Sequence, residues 1–509
     1  MSTLADLSNG PFDAAIIGGG IIGAGIARDL ALRGVQVALV EKEDFGGGAT
    51  SGSTRLVHGG LRYLEMLDFS LVRMDLRERE ILLRIAPHLV KPLEFRIPFV
   101  GQSAWFRARM RVGLMLYDAL SFDRSLPGHR FLGNAEVLAG EPALTEERLH
   151  GAASYFDAQV SMPERLCLEN LIDAARHGAV VQNYCEVRSA GLSDTNVRSL
   201  RIRDTENGEE AELRAKVFVN ATGAWFDRVQ TLVSGAPSRR LRTTKGIHLT
   251  CAPMVNKANV LFSPIDGRLF FVIPLFGKTW IGTTDTDYPD DPTGVRAGPA
   301  DIEYLLRSVE PFFPAIRSLP IYSTNAGVRA LVRQEGSESS VSRLHRIEET
   351  QPDMFSVLGG KITGYRAIAQ EAADAVCARL GIGARCQTAA RTLPGGGSPP
   401  PATEEGWETL YGSRASELAA LAGPYGRIGA QARLAVRQEF CRHLDDFLLR
   451  RTAFGFASDM GASVAPDALG ALSEECSWTR ERRDAEWSRY RVAAERARAV
   501  AALPVTSPL

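Results

Sequence analysis

With 509 residues, 45% hydrophobic and 23% charged, the chain has the composition of an ordinary globular protein too long for a single core. A formal net charge of −1 removes any bulk electrostatic case for nucleic-acid binding. Seven scattered cysteines without a CxxC pair argue against a disulfide frame or a zinc cluster, and no apolar run nears the ~20 residues of a spanning helix. The first apolar run is short and lacks a basic flank, so a cytoplasmic protein is expected.

The stretch "FDAAIIGGGIIGAGIARDLALRGVQVALVEKEDF" reads as strand, glycine turn, helix and strand. Ala15 to Ile17 form the first strand, Ile22 to Leu32 a helix of small residues stopped by Gly34, and Val37 to Val40 the second strand. Gly18, Gly20 and Gly23 give the G-x-G-x-x-G spacing, and Glu41 ends the second strand eighteen residues later. This arrangement suits a dinucleotide: a tight turn, a close approach for pyrophosphate, a helix N-terminus for its charge, and a carboxylate for ribose hydroxyls.

The polar segment that follows carries Thr50, Ser51, Ser53 and Thr54, all able to donate to phosphates or ring carbonyls. It runs into "LVHGGLRYLE", where Gly59 and Gly60 permit a close backbone approach beside His58, Arg62 and Tyr63. An amphipathic helix is expected over about 70–85. Next, "AWFRARMRVGLMLYDAL" mixes Trp105, Phe106, Met110, Leu114, Leu116 and Tyr117 with Arg107, Arg109 and Arg111. It reads either as a helix packed on its own core or as one lying in a lipid interface.

A buried strand at Val217 to Val219 ends in Ala221, Thr222 and Gly223, a second small-residue strand end that suggests FAD more than NAD. Residues 240–325 alternate and are rich in β-branched and aromatic side chains, the pattern of an antiparallel sheet. The α/β pattern resumes in "DMFSVLGGKITGYRAIAQ", where Gly359, Gly360, Lys361 and Thr363 precede a helix whose start is placed to face a redox ring. "LPGGGSPPP" at 393–401 reads as a linker, and the remainder is helical and Arg-rich.

Cations recur beside glycines or strand ends: Arg62 and His58, Lys245 and His248, Arg329, Arg343 and Lys361. Their convergence implies an anionic substrate, a phosphate or carboxylate. A histidine among them is suited to take a hydroxyl proton as hydride leaves carbon, and pattern does not decide between His248 and His58.

Taken in order, "IIGGGIIGAGIARD", "STRLVHGGLRYLE", "NATGAW", "KGIH", "IGTTD", "GVR" and "GGKITGYR" resemble the FAD-dependent, aerobic respiratory glycerol-3-phosphate dehydrogenases over about residues 12–460. The resemblance implies an α/β fold: a glutathione-reductase-like FAD-binding Rossmann domain, an antiparallel-sheet substrate domain and a C-terminal helical domain. The expected division gives 11–95, 150–235 and 325–392 to the FAD domain, 96–149 and 236–324 to the substrate-binding cap, 393–401 to the linker and 402–509 to the helical domain. It further implies oxidation of sn-glycerol 3-phosphate to dihydroxyacetone phosphate, with hydride passing to flavin N5 and electrons to quinone.

Carried over by position, Arg62, Tyr63 and Lys361 match substrate-phosphate contacts, Arg329 and His248 match residues beside the reacting hydroxyl, and Arg343 matches less closely. Peripheral attachment to the inner face of the cytoplasmic membrane follows from the same likeness, and a homodimer stays open. The chain departs from the family at Ala330, at Gly364 and at "SMPERL". The first two are expected to enlarge the pocket, which keeps a longer polyol phosphate such as a tetritol phosphate in play. An oxygen-using oxidase and a flavin-binding protein without turnover are the competing readings.

Overall fold

The computed structural model describes residues 3–60, 68–333, 345–397 and 408–498. Arg62, Tyr63 and Arg343 lie outside them.

Two sheets dominate. The first runs Arg346–Gln351, Met354–Leu358, Glu210–Asn220, Pro11–Ile17, Val37–Val40 and Val180–Gln182 in spatial order. Its central pairings are parallel, Ile16 lying opposite Val219 on one side and Leu39 on the other. Parallel strands need crossovers that cover the sheet. One face is packed by the helices Ile21–Leu32, Pro163–Arg176 and Tyr365–Leu380. Small residues let them approach: a Cβ on Gly25 would stand 3.0 Å from the Ala369 Cβ. The antiparallel excursion Cys185–Ser193, Asn196–Asp204 closes the other face.

The second sheet has ten strands among the described residues. Leu241–Cys251 lies one strand in from an end of it, flanked by Lys278–Gly282 and Ile321–Val332, both antiparallel to it. Val90–Val100 and Leu149–Val160 extend the sheet beyond Ala258–Phe262. The segments 150–160 and 325–332, expected in the cofactor domain, are thus hydrogen-bonded in this second sheet. Helix Pro299–Val309 packs into one core of this sheet, and helices Phe69–Ile85 and Ala104–Leu120 into another.

Helices Gly426–Gln438, Ala465–Cys476 and Arg480–Arg498 enclose a separate C-terminal core. Buried ion pairs dock it: Arg165 from "SMPERL" donates to both oxygens of Glu439 at 2.7 and 3.0 Å, and Arg451 to both oxygens of Asp44. The expected linker starts as a buried wedge, for Gly395 donates its N–H to Glu169 at 2.9 Å and Leu393 donates to the Ile85 carbonyl. Residues 398–407 fall outside the described segments.

Candidate active site

One continuous cavity runs from the first sheet's glycine turn to the second sheet. Gly18, Gly20, Glu41, Thr50, Ser53, Thr54, His58, Ala221, Gly223, Arg329, Gly359, Gly360 and Lys361 all line it. Residues chosen from six separate stretches of sequence are therefore brought together.

At the dinucleotide end, Gly18 holds φ +108°, and a Cβ there would lie 2.7 Å from the Ala221 carbonyl oxygen. Gly23 lies behind the turn rather than in the cavity, where a Cβ would lie 2.0 Å from the Gly18 oxygen. Gly20 caps the helix without a side-chain hydrogen bond, leaving the first turn's N–H groups for the cavity, except that Ile21 donates to Thr50 Oγ1 at 3.1 Å. Glu41 accepts from Gly19 N–H at 2.8 Å and Glu43 N–H at 3.0 Å. Burial pushes its carboxyl up, while those two hydrogen bonds hold it down. It lines the cavity, the position a ribose-binding carboxylate requires. This lining fits an FAD: a pyrophosphate at the bare helix start, a ribose at Glu41, and room beyond.

Four placements differ from the expected cofactor contacts. Ser51 Oγ turns back to the carbonyls of Gly47 and Gly48. Gly59 faces Tyr117 and Leu76, donating its N–H to the Tyr117 hydroxyl at 3.0 Å, so its close approach is to those side chains. Gly60 holds φ +73° but, with Gly59, does not line the cavity. Thr363 is buried one layer behind, its hydroxyl accepting from His58 N–H at 3.2 Å. Trp225, which lines the cavity with Lys42 4.3 Å over its ring, was not singled out in the sequence; its place beside "NATG" was the available signal.

At the far end the motifs acquire physical reasons. Arg329 donates to Asp285 Oδ1 at 3.0 Å, Thr283 Oγ1 at 2.6 Å and the Thr284 carbonyl at 3.1 Å. Gly246 of "KGIH" makes room for that guanidinium, since a Cβ would stand 2.3 Å from its Nη2. Gly282 of "IGTTD" does the same for the His248 ring, with 2.3 Å to Cδ2.

Lys361 Nζ donates to the His58 carbonyl and to Asp75 Oδ2, each at 2.8 Å. Asp75 is wholly buried, and its Oδ1 has no hydrogen-bond partner among the described residues. Burial raises its carboxyl; Lys361 opposes the rise, while Asp157 and Glu78 add to it. Asp157 in turn accepts from Arg79 at 2.6 Å and from Tyr117 at 2.7 Å. Lys245 is committed elsewhere, paired with Asp301 at 2.7 Å.

His248 does not reach the cavity. It is 1% exposed, stacked on Trp280 at 4.9 Å and 17°, with Nε2 3.1 Å from Thr54 Oγ1. Burial depresses its pKa, aided by Arg329 and Arg55, so the ring is neutral. Of the two departures expected to enlarge the pocket, Ala330 lines the cavity, whereas Gly364 faces Met74 and Asp75 away from it. Gly364 therefore does not enlarge the pocket.

Helix Ala104–Leu120 divides its side chains. Met110, Leu114 and Tyr117 are buried, while Trp105 is 76%, Val112 66%, Met115 63% and the nearby Phe122 77% exposed. No helix among the described residues is long and apolar enough to cross a membrane.

A family model described as FAD dependent oxidoreductase matches residues 13–375, and one described as the C-terminal domain of alpha-glycerophosphate oxidase matches 383–483. A glycerol-3-phosphate dehydrogenase of Synechocystis sp. is 35% identical over 96% of this chain and 97% of its own. One from Mycobacterium leprae is 33% identical over 95% and 88%. The solved glycerol-3-phosphate dehydrogenase from Bacillus halodurans, complexed with FAD, is 28% identical, with TM-score 0.79 over 97% of this chain and 96% of that one.

Proposed function

The chain belongs to the FAD-dependent glycerol-3-phosphate dehydrogenases, and from that premise we propose that it oxidises sn-glycerol 3-phosphate to dihydroxyacetone phosphate. The observation that carries this reading is the single cavity, which joins an FAD-type turn to Arg329, Lys361 and His58. FAD, when bound, would supply the two-electron acceptor by taking the hydride at its N5.

The side chains divide the remaining work. Lys361, fixed by Asp75 and the His58 carbonyl, offers a rigid ammonium to the phosphate, joined in this reading by Arg62, Tyr63 and Arg343. Arg329, held on three sides by the Thr283–Asp285 turn, stabilises the oxygen at the reacting carbon. His248, neutral and able to accept, is the sink for the hydroxyl proton.

Turnover is tested with sn-glycerol 3-phosphate and an artificial electron acceptor, plain glycerol serving as control. Formation of dihydroxyacetone phosphate from the phosphate ester alone is expected; equal use of both substrates, or of neither, contradicts the reading. A quinone acceptor is proposed, and the oxidase description of the C-terminal match favours oxygen as a second reading, which peroxide release during turnover would establish. A tetritol phosphate, with Ala330 as the one departure on the cavity wall, is tested in the same assay.

We also propose that Trp105, Val112, Met115 and Phe122 seat the protein peripherally on the inner face of the cytoplasmic membrane, with Arg107 and Arg109 toward head groups. A homodimer remains compatible with this placement.

A further inference from the structure

The neutral histidine is walled off from the cavity it serves, and the wall at that point is Thr54. We propose that Thr54 is a catalytic residue, taking the substrate's hydroxyl proton onto its oxygen as it passes its own proton to His248 Nε2. The inference rests on the reading above and deepens it.

The geometry supports this on both sides of the imidazole. Thr54 lines the cavity and its Oγ1 lies 3.1 Å from Nε2. For Nε2 to accept, the ring must carry its proton on Nδ1. Nδ1 is buried without a hydrogen-bond partner among the described residues, and so is the Oδ1 of Asn325. His248 and Asn325 are direct partners across the strands Leu241–Cys251 and Ile321–Val332, so their side chains share a face. An orphaned donor thus neighbours an orphaned acceptor, and a direct contact or one bridging water satisfies both. Asn325 is then the positioning residue that fixes the tautomer. Trp280, stacked flat on the ring, holds its plane.

The step balances. The substrate O–H bond breaks and a new Thr54 O–H forms; the old Thr54 O–H breaks and an Nε2–H forms; the C–H pair leaves carbon as hydride for the two-electron acceptor, and a C=O remains. The imidazolium stands near Arg329 and Arg55, whose repulsion a phosphate dianion in the same cavity offsets. The relay therefore suits an anionic substrate.

The test is rapid mixing of FAD-loaded protein with sn-glycerol 3-phosphate, following flavin reduction in the wild type, Thr54→Val, Thr54→Ser and His58→Gln. Thr54→Val should slow reduction by about 10²–10⁴-fold, with FAD content and the substrate concentration for half-maximal rate unchanged. Thr54→Ser, which keeps the hydroxyl, should stay within about tenfold. Independently of turnover, the imidazole ¹⁵N shifts should show His248 neutral and protonated on Nδ1, a state that Asn325→Ala weakens.

Reduction of Thr54→Val at the wild-type rate, equal loss in the valine and serine variants, or comparable loss only in His58→Gln would overturn the relay. Should the wild type respond to a different polyol phosphate, the substrate reading fails, while the valine-to-serine ratio on that compound still decides the relay. If no polyol phosphate reduces the wild type, both fail.

Discussion

The two ends of the cavity are built on opposite plans. The dinucleotide end is local: turn, helix and acid lie within Gly18–Glu41, and its expected contacts are largely backbone N–H groups whose direction the βαβ unit fixes. The substrate end is remote: each polar side chain is aimed by a partner far away in sequence, Lys361 by Asp75, 286 positions distant, and His248 by Thr54, 194 distant. A backbone-built site has little tolerance for added atoms, whereas a side-chain-built site loses chemistry one group at a time.

The sharpest way to break this contrast is Gly23→Val. Added carbons have nowhere to go against the Gly18 oxygen, so essentially complete loss of bound FAD is expected, read by absorbance of the purified protein. Full flavin content would show that the turn is not the cofactor's cradle.

Arg329→Met should do the reverse, keeping FAD while lowering kcat/KM by about 10²–10³-fold, comparable to removing a preorganised charge donor. An equal loss of flavin would erase the distinction between the two ends.

A smaller effect is expected far from both. His443 is buried between Glu206 and Glu486, and these carboxylates, against the cost of burial, push its pKa up to about 9. Because the folded value lies above the unfolded one, the stability it lends is full below about pH 6.5 and is lost as pH rises through about 9. Stability should fall across that window by on the order of 1–3 kcal/mol, read as a falling melting temperature, and His443→Gln should flatten the slope. An unchanged slope would mean that the imidazolium does not hold the C-terminal helices in place.

The smallest change in a detergent-free soluble assay should come from Trp105→Ser with Phe122→Ser. Activity is expected within twofold or so, while co-sedimentation with anionic vesicles is lost. Retained vesicle binding would assign the exposed apolar face to another partner.

How much of this was legible follows the same division. The strand Val37–Val40 and the helices Ile21–Leu32 and Phe69–Ile85 matched their hydrophobic periods, because short-range patterning determines them. Which sheet the strands Leu149–Val160 and Ile321–Val332 would join was not legible, since both have alternating or buried patterns that either sheet can accept. Motif glycines were visible but their reasons were not: Gly59 serves Tyr117 and Leu76, Gly246 serves Arg329, and Gly282 serves His248. Asp75 carried no signal at all, being one acid on an amphipathic helix until the fold buries it against Lys361. The likeness of the helix Ala104–Leu120 to both a core helix and an interfacial one reflects a real split between its two faces.

The single cavity is read as holding FAD at one end and a polyol phosphate at the other. The most direct test is anaerobic titration of the FAD-loaded protein with sn-glycerol 3-phosphate, watching the visible flavin band. Stoichiometric bleaching, with plain glycerol silent, is the predicted result. A flavin that stays oxidised in excess sn-glycerol 3-phosphate would contradict it.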